Sequence, residues 1–123
     1  MFFWGERHDV PQLLKASDIF VLATIQREGL SISVLEALAY QIPVVATHVG
    51  GLPEVIDNHI NGFLVTPSNP LSLAAAIEGL MINEEKRLGF AQAGLKKFQE
   101  QFESKIMIEH IERLYKECLK AYV

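Results

Sequence analysis

One cysteine, Cys118, is all the chain carries. An intrachain disulfide is therefore impossible, and so is a thiolate metal cluster. A reducing, cytoplasmic setting fits that usage. Long apolar runs are missing too: none approaches the roughly 18–20 residues of a membrane span. The opening Met1-Phe2-Phe3-Trp4-Gly5-Glu6-Arg7 has no basic leader, and its apolar run breaks at Gly5, which argues against a signal peptide. Basic residues are in deficit, 11 against 15 acidic ones, for a formal net charge of −4. A nucleic-acid partner is disfavoured, because counterion release needs a basic surface. Repeats, low-complexity segments and linkers are absent as well.

What remains is 123 residues, half of them apolar and spread in short runs, enough for one domain with one core. Phe2-Phe3-Trp4 could be the tail of a strand. Pro11 to Ala16 reads as a short helix with Asp9 as its cap. Ile19-Phe20-Val21-Leu22-Ala23 is a continuous β-favouring run of the kind buried on both faces. After the loop from Thr24 to Gly29, Ser31 can cap a helix on which Val34, Leu35, Leu38 and Ala39 recur at helical spacing. Gln41-Ile42-Pro43 ends it, and Val44-Val45-Ala46 is a second strand. His48 to Pro53 is a Gly-rich turn leading into one helical turn, Pro53 to Ile56. Asn61-Gly62 signals a turn before a third strand, Phe63-Leu64-Val65.

Helices follow. Asn69-Pro70 starts one with Leu73, Ile77, Leu80 and Met81 as its stripe. A second begins near Glu84, with Leu88, Ala91, Leu95 and Phe98 on one face. A third runs from Ser104 with Ile108, Ile111, Tyr115, Cys118 and Tyr122. The softest joint is Gln99 to Glu103. The expected architecture is α/β: a partial Rossmann-like, three-layer fold with a small parallel sheet of about three to four strands flanked by helices, and a helical C-terminal tail. Residues 1–123 form one partial domain.

In such sheets ligands bind beyond the carboxyl ends of the strands. Two polar, Gly-marked loops leave strands there, Thr24 to Ser31 and Thr47 to Pro53. From the first of them into the following helix runs Arg27 to Ala39, with two carboxylates, Glu28 and Glu36, separated by seven residues. The N-terminus of the Ser31 helix presents free N–H groups and a dipole that favour an anion such as a diphosphate. Gly29 lets the backbone approach a ligand. Glu36, further into the helix, suits a pair of ribose hydroxyls. Glu28, before it, suits sugar hydroxyls or positive charge developing at a sugar carbon. Gly50-Gly51 would close on the same ligand. Singly, each feature has a plainer reading: a solvated helix position, a chance spacing, a turn. His8, His48, His59 and His110 read as surface or turn residues, His48 being notable beside the Gly-Gly loop.

Together these features match a family. Ala16-Ser17-Asp18-Ile19-Phe20-Val21-Leu22, Glu28-Gly29-Leu30, Glu36-Ala37-Leu38-Ala39, Ile42-Pro43-Val44-Val45-Ala46-Thr47, Val49-Gly50-Gly51-Leu52-Pro53-Glu54-Val55-Ile56 and Gly62-Phe63-Leu64-Val65 closely resemble the family 4 (group 1) retaining glycosyltransferases of the GT-B fold. The likeness runs in register over about residues 2 to 82. It implies a donor site for a UDP-, GDP- or ADP-sugar. Glu28, in the catalytic position, would contact the sugar and Glu36 the ribose. Backbone amides of Leu30, Ser31 and Ile32 would hold sugar or phosphate oxygens. It further implies retention of anomeric configuration, no bound metal, no cofactor, and a role in polysaccharide, lipopolysaccharide or glycolipid synthesis. Ser31 departs from the family, where Gly is frequent.

The resemblance also implies absences. GT-B enzymes react in a cleft between two domains, and this chain would hold only the later strands of the C-terminal one. The acceptor domain, which would bring a sugar or lipid-linked acceptor, is outside it. So is the Arg/Lys pair for the donor diphosphate, with Arg27 the adjacent cation. The expectation is a donor-binding portion that is incomplete and inactive alone. The alternative is a non-catalytic truncated fragment or a nucleotide-sugar-binding or assembly module. Strand Ile19–Ala23 would have an unpaired edge, covered by Phe2–Trp4 folding back or by a second copy in a homodimer. A cytoplasmic location, peripheral to the inner membrane face in the intact enzyme, is expected.

Overall fold

Three short strands form the centre of the computed structural model, which describes residues 1–27 and 29–121. They are β1 (Phe20–Leu22), β2 (Val44–Thr47) and β3 (Gly62–Val65), parallel and in the order β1-β2-β3. Phe20 pairs with Val44, and Val44 with Gly62. Parallel neighbours need crossovers, and helices supply them: α2 (Ile32–Ala39) between β1 and β2, α3 (Leu52–Val55) between β2 and β3. Before β1 lies α1 (Val10–Lys15). After β3 come α4 (Pro70–Ile82), α5 (Glu84–Lys97), a π-helical turn (Phe98–Phe102) and α6 (Ser104–Ala121).

Alternation along the strands divides the core. Val44 and Ala46 join Val34, Leu38, Val55 and Ile56 on the face covered by α1, α2 and α3. Val45, Phe63 and Val65 join Leu80 and Phe90 on the face covered by α4 and α5. A strand whose residues are buried on both faces must be apolar throughout, and β2 is central and wholly buried. Leu38, Ile56 and Leu80 are the largest fully buried apolar side chains, and each contributes about 1.5–3 kcal/mol by leaving water. Two glycines set how closely the layers approach. A Cβ on Gly62 would lie 2.5 Å from the Val44 carbonyl oxygen, and one on Gly94 2.7 Å from a Leu38 methyl.

The turns are held by side chains. Asn61, 1% exposed, accepts from the Asp57 N–H at 2.7 Å and donates to the Val55 carbonyl at 3.0 Å. Lys97 pairs with Asp57 at 2.8 Å, tying α5 to that turn. Asn69 and Asn83 cap α4 and α5, accepting from the N–H groups of Ser72 and Lys86. The Arg87 guanidinium reaches back to the Leu80 carbonyl at 3.0 Å, at the end of α4.

Several expectations need correction. The first strand is not buried on both faces: Phe20 and Leu22 are half-buried and Val21 is 38% exposed, because β1 is an edge strand. Phe2–Trp4 is not a strand and does not cover β1. Its residues are 86%, 87% and 61% exposed, and Gly5 turns the chain at φ 65°. Among the described residues the outer edge of β1 is unpaired, so the sheet has three strands. Asp9 occupies the cap position of α1 without capping it, because its carboxylate is taken by the Arg7 guanidinium in two bonds of 2.6 Å. On α5 the buried residues are Phe90, Ala91 and Gly94, while Leu88 faces solvent. The α6 stripe, including Ile108, Ile111, Tyr115 and Cys118, is exposed throughout its described length, because no other described element lies over it. Tyr122 lies outside the described residues.

Candidate functional site

Leu22, Thr47 and Val65 end the three strands at one edge of the sheet. The loops leaving them are bonded to one another. Thr47 Oγ1 donates to the Thr24 carbonyl at 2.6 Å, fastening the β1–α2 loop to the end of β2. The His48 N–H donates to the Val65 carbonyl at 2.8 Å, fastening the β2–α3 loop to β3. Gly50 has φ 53°, a left-handed conformation that glycine adopts at no cost. Gly51 has φ −83°, open to any residue, yet a Cβ there would lie 2.6 Å from the Gly29 carbonyl oxygen. The first glycine turns the chain and the second lets two loop backbones touch.

That contact stands at the entry to α2. Ser31, buried and extended (φ −78°, ψ 111°), is the N-cap residue, but its hydroxyl makes no capping bond to the helix. It meets the Ser33 hydroxyl at 3.1 Å instead. The first-turn N–H groups are thus not taken by a cap, and with the helix dipole they favour an anion. Leu30 and Ile32 are exposed. Glu36 follows Ile32 by one turn on the same solvent face, opposite the buried Val34, Ala37 and Leu38. None of the ion pairs among the described residues involves it.

Of the residues expected to form the site, Gly29, Gly51 and the start of α2 come together, with Glu36 a turn along. Gly50 is the chain neighbour of Gly51 and lines a cleft beside it. Glu28 lies outside the described residues.

Recesses lie on the surface formed by the described residues. One of about 500 Å³ is lined by Ile25, Arg27, His48, Val49, Gly50, Pro53 and Pro67. A smaller one of about 230 Å³ adjoins it at Ile25 and is lined by Ala23, Thr47 and the β3–α4 loop, where Ser68 takes φ 56°. A third, about 600 Å³, lies away from the carboxyl edge, around His59, Lys86 and Phe90. Size does not locate the site here, since only the first two sit where the strand-end loops converge.

Sequence reasoning missed the Thr47–Thr24 latch, the shared cleft of Arg27 and His48, and the part played by residues 66–69. A threonine closing an apolar strand was the available signal for the first. The second depends on how two separate loops meet. The titration of Asp9, held below the ordinary carboxylate range by hydrogen bonding to Arg7, belongs to the N-terminal segment. Among the described residues no three His, Cys, Asp or Glu side chains are grouped to hold a metal ion, and no helix is long and apolar enough to cross a membrane.

Comparison with known proteins bears on this edge. The family described as "Glycosyl transferases group 1" matches residues 1–97. The Bacillus anthracis N-acetyl-alpha-D-glucosaminyl L-malate synthase is 29% identical over 120 residues, 98% of this chain and 31% of that protein. A glycosyltransferase from Rickettsia africae superposes with a TM-score of 0.89 at 30% identity, over 95% of this chain and 31% of its own. Anabaena HepE, crystallised in complex with UDP, gives 0.83 at 29% identity, over 89% of this chain and 30% of its own. The chain thus spans just under a third of the length of each.

Proposed function

Since the chain belongs to the group 1 glycosyltransferases, we propose that its carboxyl edge binds the nucleotide-diphosphate sugar from which the intact enzyme transfers a glycosyl group with retention. The observation that carries this reading is the Gly29–Gly51 contact. It sets two strand-end loops around a helix start whose cap residue leaves the first-turn amides to a ligand. The UDP complex of HepE supports the choice of ligand.

The order along the site follows from charge. The diphosphate lies at the start of α2, where the amides of Leu30, Ser31 and Ile32 and the dipole offset its charge and stabilise it as a leaving group. Glu36 accepts from the ribose hydroxyls. Glu28 accepts from the sugar hydroxyls and stabilises the positive charge that develops as the glycosidic bond lengthens. In the intact enzyme Glu28→Ala should lower turnover at least a hundredfold, the range of one lost electrostatic contact in a transition state. Unchanged turnover would remove Glu28 from this role.

Transfer itself needs an acceptor site. The chain spans just under a third of its relatives' length, and a second reading, for this polypeptide assayed by itself, is that it binds donor without transferring it. Recovery of transfer on mixing with the remaining portion of an intact relative would show that it is a working half rather than an inert fragment. The acceptor in this proposal is a sugar, a lipid-linked sugar or, as the name of the B. anthracis relative indicates for that protein, a small hydroxy acid. The unpaired edge of β1 offers a second copy a place to add a strand. Light scattering at high concentration should then show dimers, and a strict monomer would remove that interface.

A further inference from the structure

We propose that the cleft of Arg27 and His48 is a second oxyanion site, separate from the donor diphosphate, that takes a phosphate or carboxylate group on the acceptor. The assignment to an acceptor rests on the donor reading above. Arg27 and His48 come from different loops and line the same cleft of about 500 Å³. Among the described residues no carboxylate lines it, and Arg27 takes part in none of their ion pairs. Its other walls, Ile25, Val49, Pro53 and Pro67, are apolar, which strengthens a charge–charge contact formed between them. The loops are not loose arms, because Thr47 bonds to Thr24 and the His48 N–H to Val65.

Position separates this cleft from the donor diphosphate. Ser31, Ile32 and Glu36 do not line it, whereas Gly50 does. Its lining residues Arg27 and Gly50 stand two residues before Gly29 and one before Gly51 in the chain. Arg27 is bonded in the chain to Glu28, the residue assigned to the donor sugar. The cleft therefore opens at the sugar end of the donor, where an acceptor must arrive. The ribose end is assigned to Glu36 on α2, which does not line the cleft. A guanidinium presents a planar fork that matches a phosphate or carboxylate, and the His48 ring adds an N–H from the facing loop.

The test uses the ¹⁵N-labelled chain saturated with UDP, titrated with inorganic phosphate or with L-malate at constant ionic strength. The expected result is that either probe shifts the amides of Arg27, Val49 and Gly50 without displacing UDP. A stronger response to one probe identifies which oxyanion the site prefers. Arg27→Gln should weaken the responding probe about tenfold or more, the value of one charge-assisted bond. His48→Gln should weaken it less, and UDP affinity should stay within about twofold in both, since neither side chain is placed at α2. Displacement of UDP by phosphate, or a parallel loss of UDP affinity in Arg27→Gln, would assign Arg27 and His48 to the donor diphosphate and overturn the proposal. So would probes that shift nothing, or that act equally on wild type and Arg27→Gln. Should UDP fail to move the α2 amides while phosphate still binds, the donor reading fails, and the assignment of the cleft to an acceptor fails with it.

Discussion

Gly51 stands against Gly29 so closely that a Cβ on it would lie 2.6 Å from the Gly29 carbonyl oxygen. The obstacle is backbone, which cannot rotate aside as a side chain does. Gly51→Ala must therefore part the two loops, at a cost of about 1–3 kcal/mol in the folded state. UDP affinity should fall roughly tenfold as the start of α2 shifts. Urea unfolding and calorimetry check the two effects. An alanine variant with wild-type affinity would show that the contact does not organise the site.

Thr47 reaches the same loop by a hydrogen bond rather than by close packing. Thr47→Val keeps the shape and removes the donor to the Thr24 carbonyl. The expected loss is about 1–2 kcal/mol of stability. Faster hydrogen exchange should appear in the loop between β1 and α2 and leave β2 and β3 protected.

Asn61 closes the turn before β3 through two bonds, and is 1% exposed. Asn61→Ala leaves the Val55 carbonyl and the Asp57 N–H without that partner, and should destabilise the protein by about 2–4 kcal/mol. Donor binding by the fraction that remains folded should be unchanged, because this turn lies at the opposite end of the strands from the site.

Gln41 ends α2 at φ 60°, a conformation that suits glycine better than glutamine. Its N–H and that of Ile42 bond back to Leu38 and Ala37 at 3.0 and 2.9 Å. Gln41→Gly should raise stability by roughly 0.5–1 kcal/mol, seen as a higher urea midpoint at constant slope. A loss of stability would mean that the glutamine side chain contributes more than its backbone strain costs.

Glu36 is exposed on α2. Glu36→Ala should leave the unfolding midpoint within about 0.5 kcal/mol of wild type. It should weaken UDP by tenfold or more, as loss of bonds to a charged acceptor does. Uridine should weaken in parallel with UDP, whereas pyrophosphate should not.

The central fold was legible because β2 obeys one rule over its whole length: Val44, Val45 and Ala46 are apolar, as a strand covered on both faces must be. The helix boundary at Asn69-Pro70 was legible for a local reason, an asparagine cap followed by proline, whereas the Asn83 cap before Glu84 came from the structure. Phe2–Trp4 was misread because apolar residues alone do not make a strand without a neighbour to bond. Leu88 was misread by periodicity. The buried face of α5 is Phe90, Ala91 and Gly94, where Gly94 lets Leu38 approach, and only the packing shows this.

At the site, the spacing of Glu36 from Ser31 and the marking of both loops by glycine were visible in one dimension. That Gly50 and Gly51 serve different purposes was not, since one needs its φ and the other its missing side chain. Arg27 and His48 are 21 residues apart in the sequence and meet only because the β1–α2 and β2–α3 loops leave neighbouring parallel strands at one edge.

The claim that this edge is a nucleotide-sugar donor site is tested most directly by titrating the ¹⁵N-labelled chain with UDP-glucose and following its amides. The account predicts saturable shifts at Gly29, Leu30, Ser31, Ile32 and Glu36, with the turn at Asn61 unmoved. Unshifted amides along residues 29–36 at saturating UDP-glucose, and equally with GDP- and ADP-sugars, would contradict it.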